Sequence, residues 1–460
     1  MTLIKSISGI RGTIGGQPEE NLTPLDAVRF AAAYGTWLLD QNQQKKIKVV
    51  IGRDARLSGA MLQELVQNTL IGLGVDVIDA GLSTTPTIEM AVVFEQAQGG
   101  IILTASHNPK EWNALKLLNE KGEFISALDG ATLLAMVEKE AFEFAEVDAL
   151  GKCHVRNDFI EQHIQAILEL PLVNVAAIQS AGFKVVVDAV NSTGGISIPP
   201  LLKALGVEMI PLYCEPTGHF PHNPEPLKEH LGDLCATVTK EKADFGIVVD
   251  PDVDRLAFVD EKGQMFGEEY TLVACADYVL SKTKGNTVSN LSSTRALRVI
   301  TEKHGGKYTA AAVGEVNVVV SMKAEKAVIG GEGNGGIIYP ELHYGRDALV
   351  GIALFLSHLA DRQQSVSVLK ASYPSFFMSK NKVTLKVGMD VDGILEKIKN
   401  VYIDQNPSTI DGVKIDFDDR WIHLRKSNTE PIIRIYTEAP SQAVADGLAE
   451  TVLNQINTLI

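Results

Sequence analysis

Four short stretches carry side chains whose types and spacing could do chemistry. The first is Thr104-Ala105-Ser106-His107-Asn108-Pro109, directly after the apolar run Ile101–Leu103. Small residues, a serine and a helix-blocking proline predict a tight loop at the carboxyl end of a strand, where open α/β sheets place their ligands. Ser106 can act there as a nucleophile. His107 is its adjacent base, although neighbouring side chains of an extended chain point apart. Lys116, closing Asn113-Ala114-Leu115-Lys116, can fold back over the loop. The alternative is a turn in which Ser106 and Asn108 satisfy only local backbone groups.

The second stretch is Asp250-Pro251-Asp252-Val253-Asp254-Arg255. Three alternating carboxylates repel one another unless a cation lies between them. Their hard oxygens favour Mg²⁺ or Ca²⁺ over Zn²⁺ and leave positions open for water or a phosphate oxygen. Glu261 falls at the twelfth position of a calcium loop, but Arg255 stands where that loop needs glycine, and a strand precedes it. A solvated acidic loop is the alternative.

The third, Gly330-Gly331-Glu332-Gly333-Asn334-Gly335-Gly336, joins strand-like Ala327–Ile329 to Ile337–Tyr339. So many glycines imply close backbone approach. Glu332 and Asn334, two apart, suit sugar hydroxyls; a plain hairpin with Gly-Asn-Gly chemistry fits equally. In the fourth, Arg425-Lys426-Ser427-Asn428-Thr429-Glu430-Pro431 with Arg434 following, cations, hydroxyls and an amide make anion-binding equipment or, alternatively, a cap and turn. Near the start, Ser8-Gly9-Ile10-Arg11-Gly12 sets one arginine between glycines.

The elements that must position these loops are strands and helices in alternation. Ile47–Ile51, Phe183–Val187 and Phe245–Val249 are uninterrupted apolar runs suited to parallel strands buried on both faces. Each runs into a polar loop, which argues for α/β domains. Thr23-Pro24 reads as an N-cap and first turn for a helix over Leu25–Leu39. The end differs: Lys380–Val387, Gly412–Phe417, Trp421–Leu424 and Ile432–Tyr436 read as antiparallel strands, with helices near Gly393–Val401 and from Ser441. The expected domains are 1–153 with the serine loop, 154–258 with the aspartate loop, 259–373 with the glycine-rich loop and 374–460 with the arginine loop.

Length and composition agree. A chain of 460 residues, 45% apolar, makes roughly three or four domains. With 42 Lys and Arg against 57 Asp and Glu, the net charge is −15, and no basic stripe is present for nucleic acid. An anionic substrate would then need a few placed cations to reverse the local field. Cys153, Cys214, Cys235 and Cys275 form no C-x-x-C pair, as expected of reduced thiols in a cytoplasmic protein. Met1–Gly16 has no signal-peptide core, and the greasiest stretch, Ala348–Leu359, is too short to span a bilayer, so no membrane association is expected.

In this order, S-G-I-R-G, T-A-S-H-N-P, D-P-D-V-D-R, G-E-G-N-G-G and R-K-S-N-T-E-P resemble the α-D-phosphohexomutase superfamily over essentially the whole chain. The resemblance implies three similar α/β domains with mixed, largely parallel sheets and a smaller C-terminal α+β domain around a central cleft. It implies an enzyme that interconverts hexose 6-phosphate and hexose 1-phosphate through a phosphoserine at Ser106 and a bisphosphorylated sugar. Asp250, Asp252 and Asp254, with a Ser106 phosphate oxygen, would bind Mg²⁺, and Arg255 would be a charge partner. Arg11 and Lys116 would contact the transferring phosphate, Lys116 as a possible general base. Glu332 and Asn334 would read sugar hydroxyls. Arg425, Ser427, Asn428 and Thr429 would clamp the other phosphate. Hexose 1,6-bisphosphate would be the activator, and a hexose or hexosamine phosphate the substrate.

Departures from the pattern bear on that substrate. Many relatives have glycine at Ala114, and serine then histidine at Asn334 and Gly336. Asn428 pulls towards glucose and mannose enzymes. The S-G-I-R-G-T-I-G-G start and W-N-A-L-K favour glucosamine phosphate, which is the expectation here, with phosphomannomutase or phosphoglucomutase as the alternative. A metal-dependent sugar phosphatase and a non-catalytic sugar-phosphate sensor are the remoter readings.

Overall fold

The computed structural model describes residues 2–6, 9–42, 46–385, 389–426 and 432–459. Four sheets follow one another along the chain. Three of them repeat one strand order. In the first, Trp112–Leu118 lies beside Gly99–Leu103, then Lys48–Arg53, then Asp76–Leu82. In the second the order is Leu256–Asp260, Phe245–Val249, Lys184–Asp188, Glu208–Leu212. In the third it is Gly336–Ile338, Ala327–Glu332, Asn286–Asn290, Tyr308–Ala311. Numbered along the chain within each unit, the spatial order is fourth, third, first, second in all three. The first three strands are parallel, and the fourth returns antiparallel to the third.

This recurrence places the chemistry. The serine, aspartate and glycine-rich loops each join the third strand of a unit to its antiparallel fourth. All three leave the carboxyl end of a buried strand. Gly99–Leu103 and Phe245–Val249 are buried at every position, as their unbroken apolar runs require.

The first sheet is widened to seven strands. Gly9–Thr13 pairs with Trp112–Leu118 and carries Ile4–Ser6 beyond it, and Cys153–Val155 adds to Asp76–Leu82. The expected boundary at 153/154 therefore falls inside a strand of the first sheet. That at 258/259 falls inside Leu256–Asp260, which belongs with the second. Both cuts have one cause: a strand that closes one sheet reads in sequence like the opening of the next.

The helix expected at Leu25–Leu39 spans Pro24–Gln41, with Thr23 and Asp26 forming a capping box. The fourth unit is antiparallel, in the order Phe377–Thr384, Ile432–Ala439, Trp421–Lys426, Val413–Asp416, with helices Val391–Val401 and Gln442–Leu459. The four cysteines are free. Ala348–Leu359 lies in the buried helix Ala348–Arg362, and no helix among the described residues is long and apolar enough to cross a membrane.

The second and third units share one core. Phe245 and Phe258 of the second sheet meet Phe266 and Phe355, and the Phe258 and Phe355 rings stack with centroids 3.8 Å apart. The fourth unit has a core of its own around Ile398, Ile422 and Ile435. It meets the third through polar contacts: Lys414 Nζ donates to Leu291 O at 2.6 Å, Arg295 N to Glu438 Oε1 at 2.9 Å, and Ser292 Oγ lies 2.9 Å from His423 Nδ1.

Candidate active site

The floor of the site is acidic. Asp250, Asp252 and Asp254 are fully buried, and one carboxylate oxygen from each lies within 4.8 Å of the others. Val253 between them holds φ +64°, a left-handed conformation rare for a β-branched residue. That turn brings the backbone N–H groups of Asp254 and Arg255 onto Asp250 Oδ1 at 3.1 and 3.0 Å. Asp252 Oδ1 and Asp254 Oδ1 are buried without a hydrogen-bond partner among the described residues. Burial, with Asp254 and Asp252 beside it, pushes the Asp250 carboxyl well above its usual range. A hard divalent cation fits this donor set: three converging carboxylates, two orphaned oxygens and more negative charge than the neighbours balance. Glu261 has no part in it, being bonded to Ser367.

Two cations reach the floor from other units. Lys116 Nζ lies 2.7 Å from Asp252 Oδ2 and 3.2 Å from Asp254 Oδ2. Burial opposes its charge, but the two carboxylates outweigh burial and push its pKa up. Arg346 Nη2 lies 2.6 Å from Asp254 and Nη1 2.8 Å from Glu332, and its Nε faces Glu315 at 3.0 Å. Burial works against the Asp254 charge, yet Arg346, Lys116 and Arg255 hold its pKa far down.

Ser106 stands at the edge of this floor. Its Oγ donates to Asp250 Oδ2 at 2.6 Å. Its φ of +48° is left-handed, so the loop is not extended there. The expectation that Ser106 and His107 point apart is corrected accordingly: His107 Nδ1 comes to 3.5 Å from Ser106 Oγ. Burial, then the charge of Arg255, hold the His107 pKa well below the usual histidine value. The strained loop is fastened by Arg56. Its guanidinium donates to the carbonyls of Ser106, Asn108, Pro109 and Trp112 at 2.5, 2.6, 2.6 and 3.1 Å, while its Nε pairs with Asp54 at 3.0 Å.

The rim is cationic. Arg11 on Gly9–Thr13, Arg255 after the aspartate loop and Arg434 on Ile432–Ala439 each bury an Nε with no hydrogen-bond partner among the described residues. Burial, then the charges of Arg255 and Arg434, lower the Arg11 pKa. The fourth unit thus brings positive charge against the first. Arg425 and Arg434 sit directly opposite on neighbouring strands and so share a face. Like charges so placed repel unless an anion lies between them. Of the partners available, Asp411 takes Arg425 at 3.3 Å and Glu225 takes Arg255 at 3.2 Å. Ser427, Asn428 and Thr429 lie outside the described residues.

Glu332 and Asn334 both have partners within the protein. Glu332 is not a free acceptor: Asn290 Nδ2, Gly314 N and Arg346 Nη1 donate to it at 2.8, 3.0 and 2.8 Å. Asn334 Oδ1 accepts from Gly336 N at 3.2 Å within its own hairpin. The departure at Gly336 has a steric reason, since a Cβ there would collide with Arg346 Cδ. Arg346 fills the space that a histidine at that position would need. Sequence reasoning missed Arg346 and Arg56. The local signals are faint: Arg346 precedes Asp347, the N-cap of Ala348–Arg362, and Arg56 follows Asp54 by two.

Residues 3–144, 161–263, 267–376 and 380–455 match, in turn, the family models of phosphoglucomutase/phosphomannomutase alpha/beta/alpha domains I, II and III and the C-terminal domain. The chain belongs to the phosphoglucomutase/phosphomannomutase family. It is a phosphohexomutase, an enzyme of the isomerase class. The mutase is 36% identical over 444 residues to a phosphoglucomutase/phosphomannomutase of Thermococcus kodakarensis, covering 94% of this chain and 95% of that one. It is 32% identical over 448 residues to a probable phosphoglucosamine mutase of Methanopyrus kandleri, covering 96% and 95%. Its fold superposes with a TM-score of 0.84 on the crystal structure of a phosphoglucomutase/phosphomannomutase family protein from Burkholderia thailandensis, at 26% identity and over 99% and 98% of the two chains.

Proposed function

We propose that the mutase interconverts hexosamine 6-phosphate and hexosamine 1-phosphate through a phosphoserine at Ser106 and a bisphosphorylated sugar, with glucosamine phosphate as its substrate. The observation that carries the mechanism is Ser106 Oγ, 2.6 Å from Asp250 in a ring of three buried carboxylates and facing a rim of unpartnered guanidinium donors. The phosphoserine Oγ–P bond breaks, a bond forms from phosphorus to the free sugar hydroxyl, and the hydroxyl proton passes to a basic side chain. The bisphosphate reorients and returns its other phosphoryl group to Ser106 Oγ. Asp250, Asp252, Asp254 and a phosphoserine oxygen would hold Mg²⁺, which when bound would supply charge neutralisation at the transferring group.

Lys116 is the side chain placed to hold or move the hydroxyl proton. It shares Asp252 and Asp254, so its proton affinity follows how much of their charge is left uncompensated. Arg11 and Arg255 take the transferring phosphate, while Arg425 and Arg434, with the loop between their strands, take the phosphate that stays. Glu332 acts through Arg346, whose guanidinium it aims, and Asn334 lies at the hairpin tip for the sugar. Holding both ends of the bisphosphate keeps it from being lost, and a cleft closed by the fourth unit keeps water from the phosphoserine. The name of the Thermococcus kodakarensis relative favours a second reading, glucose or mannose phosphate, at the same site.

The test is incubation with Mg²⁺, a trace of hexose 1,6-bisphosphate as activator, and the 1-phosphates of glucosamine, glucose and mannose in separate reactions. Isomerised glucosamine ester formed fastest is the expected result. Faster turnover of glucose or mannose ester moves the substrate to the second reading. Free phosphate would make the protein a phosphatase, and no product a sensor.

A further inference from the structure

A second group of metal-ligating side chains lies away from the aspartate loop, where three units meet. His163 comes from helix Phe159–Leu168, and His343 and Asp347 from the segment that enters helix Ala348–Arg362. His163 Nε2 and His343 Nε2 converge on the same carboxylate oxygen, Asp347 Oδ2, at 2.9 and 3.3 Å. The three ligand atoms lie within 4.8 Å of one another. Asp347 Oδ1 faces away and caps the helix by accepting from Leu349 N and Val350 N.

The other nitrogen of each ring meets an oxygen of the first unit. His163 Nδ1 lies 3.0 Å from Thr87 Oγ1, and His343 Nδ1 3.4 Å from Glu89 Oε2. For His163 the Thr87 hydroxyl is the kind of outer-shell partner that fixes the ring orientation of metal-binding histidines, while behind His343 the Glu89 carboxylate stands at ion-pair distance. Glu89 supplies the independent observation. It is 1% exposed, both of its oxygens lack a hydrogen-bond partner among the described residues, and it points at His343. A Cβ on Gly345 would collide with Glu89 Oε2, so the turn is fitted closely around this carboxyl. Two buried carboxylates therefore flank the two imidazoles. A cation between the Nε2 atoms and Asp347 Oδ2 would meet three converging ligand atoms.

We propose that His163, His343 and Asp347 form a second divalent-cation site, backed by Glu89 and Thr87, that takes an ion of the Zn²⁺ and Co²⁺ class rather than Mg²⁺. Mixed imidazole and carboxylate donors select such ions, whereas three carboxylates suit Mg²⁺. The ligands come from the second and third units and their backing from the first. The ion would tie the three together beside Arg346, without taking part in phosphoryl transfer.

The test uses the full chain, stripped with a chelator, returned to excess Mg²⁺ to fill the aspartate loop, and titrated with Co²⁺. The expected result is one Co²⁺ retained per chain, with visible d–d absorption of the intensity given by nitrogen ligation in a low-coordinate site. Asp252→Asn should keep that absorption. His163→Gln and His343→Gln should each lose it while melting cooperatively without metal. His343 lies at the edge of the cluster, so His343→Gln keeps the test decisive if His163→Gln fails to fold. No Co²⁺ retained against Mg²⁺, a band that survives His343→Gln, or a band lost in Asp252→Asn would each overturn the proposal and leave the cluster as a hydrogen-bonded strut between units.

Discussion

The floor and the rim of the active site are opposite in kind. On the floor, Asp252, Asp254, Glu315 and Glu332 form ion pairs with Lys116 and Arg346, and among the described residues no ion pair reaches Asp250. On the rim, Arg11, Arg255 and Arg434 carry unpartnered donors, and Glu225 is the carboxylate that reaches Arg255. The floor lacks positive charge and the rim lacks negative charge. Each deficit fits one party to the proposed reaction: a cation below, phosphate above. Under that reading an acidic protein of net charge −15 holds an anionic sugar because the field that matters is local and set by buried groups.

Ser106 lies between floor and rim, so removing it should have the largest effect. Ser106→Ala is expected to abolish nearly all turnover with the fold intact, since the loop is held by Arg56 through backbone carbonyls rather than by the serine side chain. Intact mass should show one phosphate on the wild-type chain and none on the variant. Near-normal turnover by the variant would end the covalent mechanism.

Weakening the floor comes next. Chelation should abolish activity and Mg²⁺ should restore it. Asp252→Asn removes a charged ligand and should raise the Mg²⁺ concentration for half-maximal rate by roughly 10–100-fold, the equivalent of ~1.5–3 kcal/mol for an interaction with a charged group. An unchanged Mg²⁺ requirement would mean that the aspartate ring has another purpose.

Weakening the rim should act on binding rather than on rate. Arg434→Ala removes a donor that faces Arg11 but none that touches the floor. KM should rise about tenfold or more, by the same ~1.5–3 kcal/mol, with the Mg²⁺ requirement unchanged. If kcat falls and KM does not, the rim acts in the transition state and the division drawn above is wrong.

The contrast also explains what was readable in the sequence. Ser106, the three aspartates and the glycine hairpin lie in contiguous loops after buried strands, so local pattern and strand periodicity reveal them. Arg346 and Arg56 are isolated arginines in sequence. They gain meaning only when folding brings Arg346 against Asp254 and Glu332, and Arg56 against the serine loop. The bonding of Glu332 is not legible locally, because its donors Asn290, Gly314 and Arg346 arrive from three distant segments. The repeated strand order was hidden for the same reason: strand order is a tertiary property that apolar runs do not encode. The C-terminal strands are legible because their residues alternate; Val413–Asp416, Trp421–Lys426 and Ile432–Ala439 pair antiparallel with chain neighbours, whereas the pairing of Phe377–Thr384 with Ile432–Ala439 is long-range and is not readable locally.

The smallest effect expected on turnover concerns how the rim is held in place. The fourth unit docks by polar contacts, and one of these titrates. His423 is buried, with Nδ1 2.9 Å from Ser292 Oγ and Nε2 2.7 Å from Asp411 O, and Asp411 in turn holds Arg425. Burial, reinforced by Lys414, pushes the His423 pKa down to about 4. In the unfolded chain a histidine titrates near ~6.5. Between these values the unfolded chain binds a proton that the folded one refuses. The stability carried by neutral His423 is therefore fully present above about pH 6.5 and is lost as pH falls through about 4, to a limit of about 3 kcal/mol. Denaturant unfolding of the fourth unit, followed between pH 7 and pH 4, should show this loss, and His423→Gln, which cannot titrate, should flatten it. If the variant's pH profile matches the wild type, some other group carries the pH dependence, and the seam beneath the rim is not sensitive to protons.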